Sequence, residues 1–458
     1  MTFWIVTGGA SLLILTFLFL VFSIYNLLEK EKRAFWRSSI FFFCLLVITL
    51  VFFLTDLPFI KWLGGGIFIL LTLGLLILFF SPLKKKEIEI VGDQRRIDER
   101  DIIFSRFEYR EGTEIFDEYY KRKPEYKKRD DEIRKFPDIL SPPHMSKNPV
   151  LFSLAAAEFD FLEHQLPLVD GRRSEEKVCM SPSENTRMIK AVIKYLGSDL
   201  CGICLLNQAY IYSHVGRGPE NYGKDIELKH KYAIVFALAM DLEMVASAPD
   251  VSVIVETGKK YVEAARISIT VAGLIRRLGY PSRSHIAGSN YQAVLPPLGC
   301  EAGLGELGRL GILITSKYGP RTRLGLITTD LPLVVDKPKK LGIQNFCQKC
   351  QKCARDCPSQ AIPYGEKVQE NGVMKWVLDR EACYRFWRKA GTDCAVCIHV
   401  CPYSKADNIF HKLVRKTTEK SAAAQSLSIW ADDFFYGRVP LRRKSLIGKL
   451  VHRTKELL

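Results

Sequence analysis

Three long apolar stretches dominate the first 80 residues of the chain. The first runs from residue 2 to residue 28 without a charge, the second covers about residues 39–59, and the third about 62–80. Each supplies about 20 apolar residues, the length that a helix needs to cross a bilayer. The first stretch is too long for the core of a signal peptide and lacks a cleavage site. We expect three membrane-spanning helices rather than a helix pair buried in a soluble core.

The basic residues around these stretches predict an orientation. The first connection carries Lys30, Lys32, Arg33 and Arg37, and the second carries only Lys61. Three further lysines, at positions 84–86, follow the third stretch. Because basic loops stay on the cytoplasmic side, the N-terminus is expected outside and the remainder of the chain in the cytoplasm. The sequence thus predicts a multi-pass protein of the cell membrane.

Beyond the apolar stretches, residues 147–330 alternate helical and strand patterns. Helical periodicity covers 185–196 and 261–278, and short apolar strands are expected at 199–206, 232–240, 310–315 and 324–328. Helices and strands that alternate in this way predict an α/β or α+β sandwich. Cys201 and Cys204 have a C-x2-C spacing, but they lie within one expected strand, where they are interpreted as small buried apolar residues.

Composition adds a metal-binding segment to this outline. The chain has 458 residues, a net charge of +16 and thirteen cysteines, of which eight lie between positions 347 and 401. Clustered cysteines bind metal more often than they form a disulfide framework. The surplus of positive charge suits a basic collar beside anionic lipid headgroups, so nucleic-acid binding is not expected.

The cysteine spacing indicates two iron–sulfur clusters. The first run reads C-x2-C-x2-C-x3-C-P from Cys347 to Cys357, and the second reads C-x2-C-x3-C-P from Cys394 to Cys401, with Cys383 displaced upstream. In the bacterial two-cluster pattern the fourth cysteine of a run binds the other cluster. One [4Fe–4S] cluster is therefore expected on Cys347, Cys350, Cys353 and Cys401, and the other on Cys357, Cys383, Cys394 and Cys397. Paired zinc ribbons are the alternative, but this run packs its ligands too densely for them.

A glycine-rich string precedes the cysteine runs. Gly303, Gly305 and Gly308 formally match G-x-G-x-x-G. A dinucleotide-binding loop should follow a strand and open a helix, whereas here two prolines precede the string and a strand follows it. We do not expect a nicotinamide site, although the glycines indicate a backbone that something bulky approaches closely.

Three strings together resemble one enzyme family. They are YVEAARISITVAGLIRRLGY at 261–280, AGLGELGR at 302–309, and LITSKYGPRTR at 313–323, and both cysteine runs follow them. In this order they are similar to the corrinoid-binding core of reductive dehalogenases over about residues 145–405. The tRNA epoxyqueuosine reductases form the sister family. The resemblance implies an α+β, nitroreductase-like core with a ferredoxin-like two-[4Fe–4S] module, here joined to an N-terminal three-helix transmembrane anchor.

The resemblance also implies a base-off cobalamin between the core and the ferredoxin-like module. The residues expected to bind it are Gly303, Gly305, Glu306, Gly308, Arg309, Gly319 and Pro320. Free-standing corrinoid proteins use D-x-H-x-x-G. Here Arg283 stands where that motif has Asp, so a bond from His285 to cobalt is not expected.

By position in its motif, Tyr261 resembles the proton donor of the family. Arg321 or Arg323 is its expected basic partner, and the sequence leaves both open. A guanidinium beside a phenol stabilises the phenolate and so favours proton donation. Asn290, in a string that departs from the family pattern, is a further candidate for orienting the tyrosine. An ordinary aromatic at a helix start is the alternative interpretation of Tyr261.

These features predict a membrane-anchored reductive dehalogenase that removes halide from a small organohalide, with electrons from quinol, ferredoxin or flavodoxin. The alternatives are an epoxyqueuosine-type reductase, a corrinoid reductase of a halogen-free substrate, and a non-catalytic electron-transfer protein. The expected domains are the anchor (1–83), a basic linker (84–146), the corrinoid-binding domain (147–335), the ferredoxin-like domain (336–405) and a tail (406–458). The tail, with aromatics and a basic end, is interpreted as a solvated basic patch or as an aromatic flap over the corrinoid pocket.

Overall fold

The computed structural model describes residues 2–55, 57–288, 291–439, 441–445 and 447–448. The chain divides into two compact units: residues 1–86 with 406–440, and residues 87–405 with 441–458. This division differs from the expected five segments. The expected linker carries several helices of the second unit, and the expected tail is shared between the two units.

The helices and strands of the described chain are as follows. The α-helices are α1 Thr2–Leu28, α2 Lys32–Leu54, α3 Pro58–Phe79, α4 Ile103–Glu108, α5 Glu114–Arg122, α6 Pro124–Arg134, α7 Pro142–Met145, α8 Pro149–Glu163, α9 Pro182–Tyr195, α10 Leu242–Ala246, α11 Ser252–Arg277, α12 Leu295–Glu301, α13 Ile343–Cys350, α14 Lys352–Arg355, α15 Arg380–Ala390, α16 Val396–His399, α17 Ile409–Thr418 and α18 Ala422–Phe435. The strands are β1 Glu89–Ile90, β2 Leu200–Leu205, β3 Tyr232–Ala239, β4 Ser282–His285, β5 Gly305–Leu307, β6 Leu313–Thr315, β7 Thr322–Thr329, β8 Val368–Glu370 and β9 Val373–Lys375.

The first unit contains three helices that are long and apolar enough to cross a membrane: Val6–Leu28, Lys32–Leu54 and Pro58–Leu78. The second begins at Lys32 rather than near residue 39, because Lys and Arg are good helix formers and the helix continues past the apolar stretch. It ends at Leu54, since Pro58 starts the next helix and favours extended backbone before it.

Small and hydroxyl-bearing residues join these helices. A Cβ on Gly8 would lie 2.7 Å from the carbonyl carbon of Gly64, so α1 and α3 touch through their backbones there. The hydroxyl groups of Thr16 and Thr49 are 3.0 Å apart, bridging α1 and α2. Close backbone approach and interhelical hydroxyl bonds are the contacts by which helices associate in lipid.

The second unit is built on a four-stranded antiparallel sheet in the order β2-β3-β7-β4. Strand β3 is buried on both faces. Ile234 and Phe236 face a cluster with α9 and α11, whereas Ala233 and Val235 face a cluster with α12. The sheet is thus covered by helices on both sides, as the alternating pattern predicts, and α11 and β7 are fixed against each other.

Most elements of this sheet agree with the sequence analysis to within two residues. Strand β4 was not predicted, and the helix expected at 261–278 begins nine residues earlier, at Ser252. Its first two turns are almost fully buried, so the amphipathic pattern that marks a half-exposed helix is missing there. The extension places Glu256 and Thr257 on the same helix as Tyr261.

The glycine-rich string forms a short hairpin rather than a nucleotide-binding loop. Gly305 opens β5, which pairs with β6 at Thr315. A Cβ on Gly305 would lie 2.2 Å from the carbonyl oxygen of Ile314. The bulky group that approaches this glycine is therefore the neighbouring strand, and no helix opens from the string.

Candidate functional site

The eight cysteines gather into the two crossed quartets. Burial is the main cause that raises the pKa of Cys401, and its neighbours Cys347, Cys350 and Cys353 add to the shift, so these four lie together. Burial likewise raises the pKa of Cys383, with Cys394 and Cys357 adding to it. The pKa of Cys397 is raised by burial and then by Cys394, Cys353, Cys383 and Cys357, so Cys353 of the first quartet lies close to the second. The fourth cysteine of each run therefore joins the opposite group, as the spacing predicts.

The two C-x2-C turns have the same backbone conformation. The residue after Cys350 is Gln351, at φ 51°, and the residue after Cys394 is Ala395, at φ 50°. Both are non-glycine residues in the left-handed region, which is uncommon and marks a backbone that its surroundings hold in place. Each turn then starts a four-residue helix, α14 or α16. The repeated conformation points the paired cysteines of each run to one side.

Burial makes these thiols poor acids in the absence of metal. It is the main cause that raises the pKa of Cys347 to about 11 and that of Cys394 to about 12. A coordinating metal deprotonates such a thiol outright. Within the described residues, no three His, Cys, Asp or Glu side chains are close enough to hold one metal ion.

Glu306 and Arg309 of the glycine-rich string hold the first cysteine run in place. The Glu306 carboxylate accepts hydrogen bonds from the backbone N–H groups of Leu341 (3.0 Å) and Ile343 (2.7 Å). Arg309 is 1% exposed and donates to the carbonyl oxygens of Cys347 (3.1 Å), Pro363 (2.7 Å) and Gly365 (3.0 Å). The polar groups of both side chains are thus engaged by the protein itself.

The G-P-R string approaches the second cysteine run. Gly319 has φ +59°, and a Cβ there would lie 2.5 Å from the carbonyl group of Tyr403. Only glycine fits at this position, which directly precedes Pro320 in the chain. Gly303 and Gly308 flank β5, and Gly305 and Gly308 line a largely apolar cavity of about 500 Å³ together with Trp376. Of these glycines, Gly319 contacts the backbone just after the second cysteine run, whereas Gly305 and Gly308 contact Ile314 of the neighbouring strand.

Tyr261 and Arg323 meet between α11 and β7. The Arg323 guanidinium carbon lies 5.5 Å from the centre of the Tyr261 ring. Arg323 Nη2 donates to Thr257 Oγ1 at 2.6 Å and to Asp393 Oδ2 at 2.9 Å. Its Nε is buried and has no hydrogen-bond partner among the described residues. The Nη2 atom of Arg323 is therefore held by Thr257 and Asp393, whereas its Nε–H group can still donate a hydrogen bond.

Asp393 is the anchor of this arrangement. It is 4% exposed, and its Oδ2 also accepts from the Thr257 hydroxyl at 2.7 Å. Burial raises the pKa of this carboxyl and the Arg323 charge lowers it. Because Asp393 directly precedes the ligand Cys394, it ties the Tyr261–Arg323 pair to one cysteine quartet. Neither Asp393 nor Thr257 belongs to a motif that the sequence analysis recognised.

The structure separates the two arginine candidates. Arg321 is buried, donates to the carbonyl oxygen of Met240, and lies 5.9 Å from the ring of Tyr318. Arg323, in contrast, lies over the ring of Tyr261. Asn290 lies outside the described residues.

Sequence reasoning missed two further polar residues: Tyr291, which lies beside Tyr261, and Arg217, which lies near Tyr291. Burial raises the pKa of Tyr291, and the neighbouring Tyr261 adds to the shift, while Arg217 and Arg323 oppose it. The Tyr291 hydroxyl donates to the carbonyl oxygen of Leu324 at 3.2 Å. Arg217 is fixed by a 3.1 Å ion pair with Glu99, which is itself buried. They come from loops without a recognisable motif, so only the folded chain brings them to the site.

A pair of carboxyl groups lies on the other side of α11. Glu256 is 1% exposed and accepts from the backbone N–H of Asp241 at 2.7 Å. Burial, with the Glu256 charge as the next cause, raises the pKa of Glu158 to about 7. The Glu158 Oε2 atom is buried and lacks a hydrogen-bond partner in the described chain. Glu158 is therefore held largely protonated below neutral pH.

His285 is unsuited to bind a metal axially. It is 1% exposed on β4, and its Nε2 lies 3.0 Å from Thr328 Oγ1. Burial lowers its pKa well below the usual value, and the Arg283 and His230 charges add to that effect. The imidazole is thus neutral and enclosed in the sheet.

Comparison with known proteins defines the class of the cysteine-rich segment. The family described as "4Fe-4S dicluster domain" matches residues 346–405. This range includes all eight cysteines of the two quartets, so the second unit contains an iron–sulfur module for two [4Fe–4S] clusters.

The comparisons also identify relatives of a larger part of the chain. The tetrachloroethene reductive dehalogenase of Dehalobacter restrictus is 33% identical over 286 residues, which cover 52% of this chain and 51% of the relative. The solved structure of the catabolic reductive dehalogenase NpRdhA matches with a TM-score of 0.64 and 26% identity, covering 79% of this chain and 50% of that one. The epoxyqueuosine reductase of Lactococcus garvieae is more distant, at 29% over 112 residues, 23% of this chain and 31% of that protein.

The chain is thus similar to reductive dehalogenases and, more distantly, to epoxyqueuosine reductases. These matches agree with the expected fold class, a mixed α and β core with an iron–sulfur module and three apolar N-terminal helices. The chain spans about half the length of the reductive dehalogenases it matches.

Proposed function

We propose that this protein is a membrane-anchored reductive dehalogenase that replaces the halogen of a small organohalide with hydrogen. The net reaction takes two electrons and one proton and releases halide. The observation that carries the proposal is the Tyr261–Arg323 pair, which Asp393 ties to a cysteine quartet in a chain similar to this family. The two iron–sulfur clusters supply one-electron transfer, and a bound cobalamin supplies the chemistry that cleaves the carbon–halogen bond.

Several features of the chain fit a corrinoid bound without a protein ligand. His285 is enclosed and neutral, so no axial histidine is expected. Gly303, Gly305, Gly308, Gly319 and Pro320 lie in backbone segments around the cysteine runs, where the corrinoid is expected to be held. Since Glu306 and Arg309 already bond to the backbone around the first run, we propose that they shape that pocket rather than contact the cofactor.

In this proposal Tyr261 delivers the proton to the substrate carbon. Arg323 stabilises the phenolate that remains, since its charge lies over the ring. Thr257 and Asp393 fix the direction of the guanidinium, so that its free Nε can donate toward the tyrosine oxygen or the bound ligand. Arg321 donates to the carbonyl oxygen of Met240, so we assign it to holding the backbone at the end of β3.

We further propose that the three apolar helices cross the cytoplasmic membrane and that the catalytic unit faces the cytoplasm. The support is the basic charge of the first connection and of residues 84–86. The electron donor is then quinol from the membrane, or ferredoxin or flavodoxin from the cytoplasm. Nucleic acid is not expected as a partner, and the domain boundaries of the sequence analysis are proposed as functional rather than folding units.

The test combines metal analysis with one tyrosine exchange. Anaerobically purified protein should contain about one cobalt and about eight iron atoms per chain and should dehalogenate a panel of organohalides. Tyr261→Phe should lose nearly all turnover while keeping cobalt and iron. Tyr291→Phe is the matched control, because Tyr291 lies beside Tyr261 but its hydroxyl is used by the backbone, and it should keep most of the activity.

Other outcomes separate the alternatives. Iron near eight without cobalt, even after cobalamin is offered, would leave an electron carrier. Cobalt and iron together with no activity on any organohalide would point to a halogen-free substrate. Wild-type activity in Tyr261→Phe would show that another group is the proton donor.

A further inference from the structure

The two helices that follow the iron–sulfur module expose apolar side chains to the surroundings. On α17 these are Ile409 (75% exposed) and Leu413 (61%), four residues apart on one face. On α18 they are Leu427 (51%) and Trp430 (59%), again on one face. Apolar side chains in such rows are uncommon on a surface that meets only water and mark a contact with another phase or partner.

The opposite faces of these helices pack on the apolar N-terminal helices of the same unit. Phe410 stacks on Phe22 of α1 with ring centres 4.6 Å apart. Phe435 meets the same Phe22 edge-on at 5.0 Å and Phe41 of α2 at 6.1 Å. The C-terminal helices are therefore part of the same compact body as the expected membrane anchor.

The two ends of α18 fix its direction. Ser421, which caps its start, bonds to Ser81, just after α3, at 2.8 Å. At its end, the carbonyl oxygen of Phe434 accepts from Arg37, near the start of α2. The end of α3 and the start of α2 are on the same side of the three-helix bundle, since α1, α2 and α3 alternate in direction. Helix α18, about 21 Å long, therefore runs across the helix ends rather than along them.

The exposed surface is continuous from α18 to the membrane-spanning helices. The rings of Trp430 and Phe434 stack at 5.3 Å, and Phe434 meets Phe41 edge-on at 5.8 Å. Phe41 is itself 41% exposed on α2. A row of aromatic side chains thus leads from the exposed face of α18 onto the apolar surface of a span, where tryptophan commonly marks the level of the lipid headgroups.

Charge completes the pattern on α17. Lys412 and Lys416 are exposed on the same face as Ile409 and Leu413, and Lys420 follows one turn later. An amphipathic helix with lysines beside a row of apolar residues is typical of helices that lie in the membrane interface and attract anionic lipids. Long lysine side chains reach the headgroups while the apolar residues enter the acyl region.

We infer that α17 and α18 form a second, interfacial anchor that lies in the anionic leaflet beside the ends of the three spans. Lipid covers the exposed surface formed by Ile409, Leu413, Leu427 and Trp430. The lipid phosphate groups lie near Lys412 and Lys416. This surface neither takes part in the proposed chemistry nor depends on it.

The test is photolabelling of the full-length protein in nanodiscs, with two phosphatidylglycerols that carry a diazirine either near the glycerol end of one acyl chain, for the interface, or near its methyl end, for the bilayer centre where Phe43 lies. Peptides containing Leu413 and Trp430 should be labelled, as should the exposed Phe43 of α2, which reports insertion of the spans. Tyr195, 89% exposed in the second unit, is the negative control. Labelling of Phe43 without label on α17 and α18 would overturn the inference, whether water or a second protein covers them.

The lysines give a second, independent readout. The combined exchange Lys412→Gln and Lys416→Gln should reduce the preference of α17 for labelled phosphatidylglycerol over labelled phosphatidylcholine by about fivefold or more. Lys229→Gln, at an exposed lysine of the second unit, is the matched control and should leave that preference unchanged. An unchanged preference in the double variant would show that anionic headgroups are not bound there.

Discussion

The two cysteine quartets have the same backbone but opposite electrostatic surroundings. Gln351 and Ala395 adopt nearly the same left-handed conformation after the first cysteine of each C-x2-C pair. Beside the first quartet lies the cation Arg309, whose charge acts on Cys347, Cys350 and Cys353. Beside the second lies Asp393, which adds to the effect of burial in raising the pKa of Cys394 and is itself paired with Arg323, while the charge of Arg442 lowers that pKa.

The difference shows how one chain separates two redox groups of the same kind. Local spacing determines which cysteines join, whereas charged residues from distant segments determine what each cluster experiences. A neighbouring cation favours the reduced form of a cluster and a neighbouring anion the oxidised form. We therefore expect the quartet beside Arg309 to have the higher potential and the quartet beside Asp393 to be coupled to the proton-donor site.

The largest effect is expected from the ligands themselves. Cys347→Ser and Cys394→Ser should each reduce the iron content from about eight toward about four atoms per chain and abolish turnover. Iron analysis and low-temperature EPR of the reduced protein measure this. Cys179→Ser, at an exposed cysteine outside the quartets, is the control and should change neither value. Complete loss of iron in one ligand variant would show that the two clusters do not assemble separately.

The next largest effect on turnover is expected from Asp393, which holds the guanidinium of Arg323 in place. Asp393→Asn keeps the shape of the side chain but removes the charge that holds the guanidinium, so turnover should fall by about ten- to a hundredfold with the iron content retained. Thr257→Ala, which removes one hydrogen bond to the same group, should cost less.

A split between kcat and KM identifies the role of Asp393. We expect kcat to fall with KM little changed, since the proton donor rather than substrate binding is disturbed. The pH profile of the variant should also shift relative to that of the wild type. Equal losses in Asp393→Asn and in the cysteine variants, with iron lost, would instead assign Asp393 to cluster assembly.

A smaller effect is expected from Arg309. Arg309→Gln removes a buried positive charge and should lower the potential of the first cluster by on the order of 50 to 100 mV. Arg309→Lys keeps the charge and is expected to stay closer to the wild-type potential, although the fork of hydrogen bonds is lost. Redox titration followed by EPR distinguishes the two clusters. A shift confined to the second cluster would contradict the assignment.

The smallest effect concerns stability and pH. The pKa of Glu158 is raised in the folded protein from 4.5 to about 7, so the folded state loses stability relative to the unfolded chain as pH rises through that interval. Glu158→Gln removes this penalty. The variant should be as stable as the wild type near pH 4.5, with an apparent Tm advantage that grows up to about pH 7 and then levels off.

The matched control for this prediction is Glu184→Gln on α9. Glu184 belongs to an exposed capping box, and its hydrogen bonds with Ser181 lower its pKa. Its loss should destabilise the protein at neutral pH and matter less in acid. An advantage of Glu158→Gln that is constant across pH would mean that side-chain packing, rather than ionisation, causes it.

The regular elements were predictable wherever a local pattern specifies them. Strand β3 and helix α9 agree with their apolar runs, and the spans agree with uninterrupted hydrophobicity. The early start of α11 was not predictable, because its first turns are buried on all sides and lose the helical period. The short hairpin β8–β9 and its partner β1 were also missed, since each is three residues or shorter.

The residues of the candidate site likewise fall into those that a local pattern predicts and those that only the folded chain brings together. The cysteine quartets follow from spacing alone, because their geometry is set within short loops. Tyr261 and Arg323 could be singled out only through resemblance, and the choice between Arg321 and Arg323 needed the register of β7 against α11. Asp393, Thr257, Tyr291 and Arg217 come from four separate segments, and their meeting depends on long-range packing that no local pattern encodes.

Strand β1 has a consequence for the order in which the chain is made. It pairs with β9, and the nearby Arg95 bonds to Asn371, 276 residues further along. At about 5 to 20 residues per second, the ribosome needs roughly 15 to 55 s to supply that partner. During this interval the helices α1, α2 and α3 are already synthesised, while the backbone N–H and C=O groups of β1 have not yet paired with β9. The sheet of β1, β8 and β9 in the second unit can therefore close only on a nascent chain whose hydrophobic start has long since left the ribosome.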